Sequence, residues 1–186
     1  PFSVALEGDG FFQIRTESGE LQYTRDGSFE ISPVANGNML CTSDGNPVLD
    51  AYGNQIILPS NRVATDLVVN QDGTLAFPDG TGNPAVITDA NGRPVKFGIY
   101  QFNNPAGLSK EGSNNYSVTV ASGAAVAENG NAAVKQTKTH QYYTEASNVD
   151  VANEMVNLIV AQRAYEMNSK AIQASDEMMQ QANALR

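Results

Sequence analysis

From Phe2 to about Lys138, apolar positions recur in short runs, many alternating with polar ones, and glycine or asparagine closes most runs. Alternation with period two sends one side chain inward and the next outward, as in a half-buried strand. The runs predict strands over residues 2–6, 11–15, 21–24, 28–31, 39–42, 55–58, 67–70, 74–77, 95–102 and 116–120. Between them stand Asp9-Gly10, Asp26-Gly27, Asn36-Gly37, Asp44-Gly45, Asp72-Gly73, Asp79-Gly80, Asn91-Gly92 and Asn129-Gly130. These residues tolerate the positive φ that tight hairpin turns require. Residues 101–108 and 121–130 carry Gly, Ala, Asn and Pro without a steady period and read as loops.

At residue 148 the pattern changes. The 39 residues from Asn148 to Arg186 contain no Gly or Pro and are rich in Ala, Met, Gln, Glu and Leu, all good helix formers. Ser147 or Asn148 is placed to cap the helix, with Asp150 and Glu154 near its positive end and Arg186 at the other. Glu166 and Lys170 stand at i,i+4 in the favourable order. At 1.5 Å per residue the helix runs about 58 Å, longer than a compact body of this size covers. The expected fold is therefore mainly β with a long C-terminal α-helix: an antiparallel β body of many short hairpin-connected strands plus one projecting amphipathic helix. The expected divisions are a β-rich core over 1–140, a linker and helix cap over 141–147, and a coiled-coil or polymerisation helix over 148–186.

On a 3,4 spacing, Leu158, Ala161, Tyr165, Asn168, Ile172, Ser175, Met179 and Ala182 line one stripe of this helix, flanked by Val151, Met155, Ile159, Ala164, Ala171 and Met178. Asn168 and Ser175 interrupt it, and alanine is frequent, so it does not match the Leu/Ile seam of a simple zipper. Small residues let neighbouring helices approach closely, and methionine adapts to varied partners. Burying each large member contributes about 1.5–3 kcal/mol, whereas monomers seldom leave such a patch wet. Val151, Met155, Leu158, Ile159, Ala161, Tyr165, Ile172 and Met179 are the predicted assembly interface. The plainer alternative folds the helix back on its own β body, as in many α+β domains.

Charge and candidate chemistry narrow the function classes. Twenty acidic against eleven basic residues give a net charge of −9, which disfavours nucleic acid and anionic lipid as partners. No run approaches 18 apolar residues, and the first residues lack the basic and apolar regions of a signal peptide. The lone cysteine, Cys41, follows Met39 and Leu40 and reads as a small buried hydrophobe in a strand. The lone histidine, His140, sits just ahead of the helix in no recognisable triad order and reads as a surface or linker residue. Asp26, Asp44 and Asp72 invite a paired-carboxylate hydrolase reading, but each is accounted for by its turn. The Asp-Gly pairs lack the spacing of a calcium loop. No catalytic residue, cofactor, metal or small-molecule substrate is expected.

Five segments carry a resemblance. Gly8-Asp9-Gly10-Phe11-Phe12 and Tyr23-Thr24-Arg25-Asp26-Gly27-Ser28-Phe29 resemble the start of the core of flagellar rod and hook proteins. Thr42-Ser43-Asp44-Gly45-Asn46-Pro47-Val48 looks like that family's next hairpin, and Phe102-Asn103-Asn104-Pro105-Ala106-Gly107-Leu108 like its F-x-N-P-x-G-L element. The closest match runs from Glu145-Ala146-Ser147-Asn148-Val149-Asp150-Val151 into Glu154-Met155-Val156-Asn157 and on through Tyr165-Glu166-Met167-Asn168, whose wording favours the distal rod branch over the proximal rod or hook branches. The resemblance implies a non-enzymatic subunit of a hollow helical tube that transmits torque and encloses the export channel. It implies an N-terminal helix ahead of Phe2 that pairs with the C-terminal one, and export without a cleaved signal peptide into the basal-body rod. Implied partners are further copies, neighbouring rod and hook proteins, and surrounding ring proteins. The competing reading from another class is an acidic extracellular β binding module with a helical oligomerisation stalk.

Overall fold

Phe11 and Phe12 are adjacent on one strand and point to opposite faces, and both are buried. That strand therefore has apolar packing above and below it, and the rest of the β body is arranged around this requirement. The computed structural model describes residues 2–79, 84–146 and 150–184, without the side chains of residues 64, 182 and 184. Its strands are β1 Phe2–Glu7, β2 Phe11–Arg15, β3 Leu21–Thr24, β4 Ser28–Val34, β5 Gly37–Cys41, β6 Ile57–Leu58, β7 Val68–Val69, β8 Leu75–Pro78, β9 Pro84–Val86, β10 Ile99–Gln101, β11 Ser109–Gly112, β12 Asn115–Ser117, β13 Val126–Ala127 and β14 Lys138–Gln141. The helix α1 spans Val151–Ala184. Two compact units result, Pro1–Glu145 and Ala146–Arg186.

The strands form three sheets with orders β14-β1-β4-β5-β6, β11-β12-β3-β2-β10-β13 and β7-β8-β9. Every pairing among the described strands is antiparallel. On one face of β2, Phe12 and Ile14 join Val4, Phe29, Leu40, Val48, Leu58, Leu75 and Phe97 in the main core. There Phe12 meets Phe29 edge-on at 5.0 Å and Phe97 at 5.1 Å, the offset geometry that aromatic quadrupoles favour. On the other face, Phe11, Tyr23, Phe102 and Leu108 form a second cluster. Burial raises the Tyr23 hydroxyl pKa, opposed by a hydrogen bond from Gln13 Nε2 at 3.3 Å.

The mainly β architecture with one C-terminal helix matches the expectation from sequence. The turn chemistry differs from it in detail. The same loop recurs at residues 16–20, 42–46, 50–54, 70–74 and 89–93: the first residue's N–H donates to the fifth residue's carbonyl at 2.7–2.9 Å, and the fourth, a glycine, donates back to the first. Gly19, Gly45, Gly53, Gly73 and Gly92 carry the positive φ, and the residues before them do not. In two of the five loops aspartate acts at the first position instead, where Asp50 Oδ1 accepts the N–H groups of Tyr52 and Asn54, and Asp89 Oδ1 those of Asn91 and Arg93. Three consecutive residues with positive φ occur at Gly112-Ser113-Asn114, where β11 turns into β12. Gly80 lies outside the described residues.

Several strands are shorter or less apolar than their sequence runs. Residues 95–102 form a strand only at Ile99–Gln101, because the segment changes partners. Val95 bonds to Leu75 and Ile87, Phe97 to Gly73 and Gly98 to Leu49 before β10 pairs with β2. The loop expected over 121–130 contains β13, and it ends on Glu128, which is 5% exposed. The Glu128 carboxylate accepts from Gln101 Nε2 at 2.8 Å, Thr137 N at 2.7 Å and Thr137 Oγ1 at 2.6 Å. β14 was not expected because it is polar. Thr139, 1% exposed, donates its hydroxyl to the Asn70 carbonyl at 2.5 Å, and the Gln141 amide spans Leu67 O and Val69 N at 2.6 and 2.9 Å. Fully partnered polar residues built this strand where alternation was looked for.

Two substitutions test this packing. A Cβ on Gly27 would lie 1.8 Å from the Val4 carbonyl oxygen, whereas one on Gly45 meets nothing within 4 Å. Gly27→Ala is expected to cost about 3 kcal/mol or more by displacing β1, and Gly45→Ala about 1 kcal/mol for its left-handed backbone, read as urea midpoints. Thr42 Oγ1 is the one buried side-chain polar atom without a partner among the described residues. Thr42→Val is therefore expected to stabilise the protein by about 1 kcal/mol, since it deletes an unsatisfied group at constant shape.

Candidate functional site

The helix starts where its unpaired N–H groups find acceptors. Asp150 Oδ1 accepts from Ala152 N at 3.0 Å, its carbonyl accepts from Glu154 N at 3.0 Å, and Oδ2 accepts from Asn153 Nδ2 at 2.9 Å. Asp150 is thus the cap, with its negative charge on the positive end of the helix dipole. Ser147, Asn148 and Arg186 lie outside the described residues. Along the shaft, Glu166 accepts from Arg163 at 3.2 Å, in place of the expected i,i+4 partner Lys170. Both groups are more than half exposed, so the pair contributes little.

No described side chain of α1 is buried. Among the predicted interface residues, exposure runs from 53% at Ile159 through Leu158, Met179, Met155, Val151 and Ile172 to 77% at Tyr165, and Ala161 is also exposed. In a helix turning about 100° per residue, Leu158, Tyr165, Ile172 and Met179 fall within about 60° of one another. Val151, one heptad before Leu158, continues that row, whereas Met155 and Ile159 lie about 60° and 100° to its side. A second row, Val156, Val160, Met167 and Met178, is centred roughly 140° from the first, and its members are 57–66% exposed. Heptad spacing leaves out Val156, Val160 and Met167, whereas the 3.6-residue period of the same sequence contains them. The helix thus offers apolar surface on two sides. Ala182's side chain is not described.

The chemical candidates are engaged in structural roles. His140 lies on β14 with Nε2 2.7 Å from Glu7 Oε2 and its ring edge-on to Tyr143 at 6.0 Å. That partner, followed by Lys138, holds the Glu7 carboxyl below the usual carboxylate range. Burial pushes Asp26 upward, but hydrogen bonds from Ser28 and Asn114 outweigh it and leave its pKa lowered. Asp72 accepts from Thr74 N and Oγ1 at 3.1 and 2.7 Å, and Asp44 sits in the separate 42–46 loop. Cys41 is buried in β5, its thiol pKa raised by desolvation and then by Glu30, as expected of a packing residue. Among the described residues, no three of His, Cys, Asp and Glu gather as metal ligands. The cavity beside Asp72, Lys96, Glu128 and Thr137 has a volume of about 10 Å³, room for roughly one water. No described helix is long and apolar enough to cross a membrane.

The arrangement is that of a β body closed on its own cores and a helix whose apolar rows are open. Comparison with known proteins gives this arrangement a family. The flagellar hook protein FlgE/F/G D1 domain matches residues 5–77, and the flagellar basal body rod FlgEFG protein C-terminal region matches residues 140–185. The flagellar basal-body rod protein FlgG of Borreliella burgdorferi is 40% identical over 98% of this chain and 64% of its own length. FlgG of Caulobacter vibrioides is 37% identical over 100% of this chain and 65% of its own. The flagellar hook-basal body complex protein FlhP of Bacillus subtilis is 37% identical over 91% and 59%. This chain thus spans a little under two thirds of the length of the relatives it matches. It belongs to the flagellar hook and basal-body rod family.

Proposed function

We propose that the protein is a structural subunit of the bacterial flagellar basal-body rod, of the distal rod type, and that its role is mechanical. In this reading α1 packs with helices of its own kind in the wall of a hollow helical tube, through Val151, Met155, Leu158, Ile159, Ala161, Tyr165, Ile172 and Met179. The β body is carried outside that wall, joined to α1 by the segment that follows it. The tube passes torque from motor to hook and encloses the export channel. Its partners are further copies and neighbouring rod and hook proteins, with surrounding ring proteins at its outer loops, and it reaches the cell envelope by export without a cleaved signal peptide.

The observation that carries this reading is the exposure of every large apolar residue of α1, on two sides of the helix. Covering these side chains gains on the order of 10 kcal/mol per subunit, enough to drive polymerisation through many repeated contacts. The names of the relatives, flagellar basal-body rod proteins, supply the kind of polymer. The polar Asn168 and Ser175 within the first row favour varied packing over a two-stranded zipper.

Leu158→Glu or Ile172→Glu in the full-length protein is expected to abolish rod formation, and with it motility, while the near-ultraviolet dichroism of the β body is unchanged. Normal rods in basal-body preparations from either strain would refute the proposal. So would a small oligomer of fixed size from the unaltered protein in size-exclusion chromatography, the behaviour of a stalk.

A further inference from the structure

The last residue of the β unit, Glu145, is held by a residue 120 positions away. Arg25 Nε donates to both Glu145 carboxylate oxygens, at 3.0 and 2.8 Å. The same guanidinium donates through Nη1 to the carbonyls of Gly8 and Gly10, at 3.0 and 2.9 Å, and through Nη2 to that of Leu6, at 3.4 Å. It also lies 5.6 Å from the centre of the Phe11 ring. Arg25 therefore joins the connection between β1 and β2 to the point where the chain leaves the body. A lysine has one ammonium and cannot reach these acceptors together, whereas the planar fork of arginine can.

A second observation on the same segment agrees. Directly after β14, Tyr142 adopts φ 66, a conformation rare for a bulky residue, while its N–H donates to the Ser3 carbonyl at 2.8 Å. Its backbone is thus held in a disfavoured bend just as the chain turns toward Arg25. Between Tyr142 and Glu145, Arg25 is the long-range partner of the segment. Glu145 has no place in the hydrophobic cores, and Arg25 touches them only through the Phe11 ring.

We propose that Arg25 and Glu145 form a clamp that closes the β unit and holds residues 143–145 to it, so that Glu145 is the last anchored residue of the body. With the clamp open, Tyr142 becomes the last anchored residue and residues 143–145 are released. At about 3.5 Å per extended residue, this adds roughly 10 Å of reach. Under the mechanical role proposed above, on which this consequence rests, holding residues 143–145 leaves less slack where the chain leaves the body. An isolated exposed ion pair is worth little. This one is a single N–H shared between two oxygens, but it belongs to a network with three carbonyls and a ring, and it has to hold only three residues.

The test uses the unassembled full-length protein, so its outcome does not depend on whether the protein polymerises. Chymotrypsin cleavage after Tyr143 is timed for the unaltered protein, Glu145→Gln and Arg25→Lys, with the urea midpoint of the body measured in parallel. Glu145→Gln leaves the contacts of Arg25 to the carbonyls in place, so the midpoint is expected to stay constant while cleavage quickens about five- to tenfold. Arg25→Lys is expected to show the same acceleration. Unchanged cleavage in Glu145→Gln would overturn the clamp. Acceleration matched by an equal loss of global stability would also overturn it, because the effect would then be unfolding of the body and not release of its last residues.

Discussion

Apolar surface has to leave water, and this chain meets that constraint in two ways. The β body meets it internally. Because successive residues of a strand face opposite ways, Phe11 and Phe12 seat two separate aromatic clusters on the two sides of β2, and both neighbours of that strand in its sheet, β3 and β10, are placed by the same requirement. The helix has no such internal solution. Its leucine, isoleucine, valine, tyrosine and methionine side chains are more than half exposed along its whole length, so its own unit leaves them uncovered. A helix of this composition makes physical sense as one part of a larger packing. That asymmetry between a finished body and an unfinished helix is the basis of the mechanical role proposed above.

The remaining polar groups explain why the body keeps its shape. Five loops of one design pair their first and fifth residues and place glycine where the left-handed backbone is needed. Buried polar side chains do the rest of the fastening. Glu128, Thr137 and Gln101 join β10, β13 and the approach to β14, and Gln141 substitutes its amide for a backbone ladder against residues 67–69. Such groups are costly to bury unless paired, and nearly all of them here are.

Much of this was legible from residue patterns, and the exceptions have physical causes. The change of composition at residue 148 announced the helix, because propensity and the absence of Gly and Pro agree over many turns. β1, β2 and β3 were visible because apolar residues alternate there. β14 was not, because its inward positions are a threonine and a glutamine whose burial depends on partners some seventy residues away in sequence. The run from residue 95 to 102 gave too long a strand, since periodicity does not record a change of partner. On the helix, a heptad spacing drew out Leu158, Tyr165, Ile172 and Met179 but hid the second row through Val160 and Met167, which follows from the true period of 3.6. The clamp at Glu145 had no local signal at all, because its partner Arg25 lies in another hairpin.

The central claim is that the apolar rows of α1 are open in the single subunit and closed in the polymer. Methionine oxidation reports this directly, because Met167, Met178 and Met179 lie on these rows and are 66%, 65% and 59% exposed. Hydroxyl-radical footprinting of the unassembled protein and of isolated rods, read by mass spectrometry at these three residues, is expected to show rapid sulfoxide formation in the first and strong protection in the second. Equal oxidation in both states would contradict the account, as would protection already present in the single subunit.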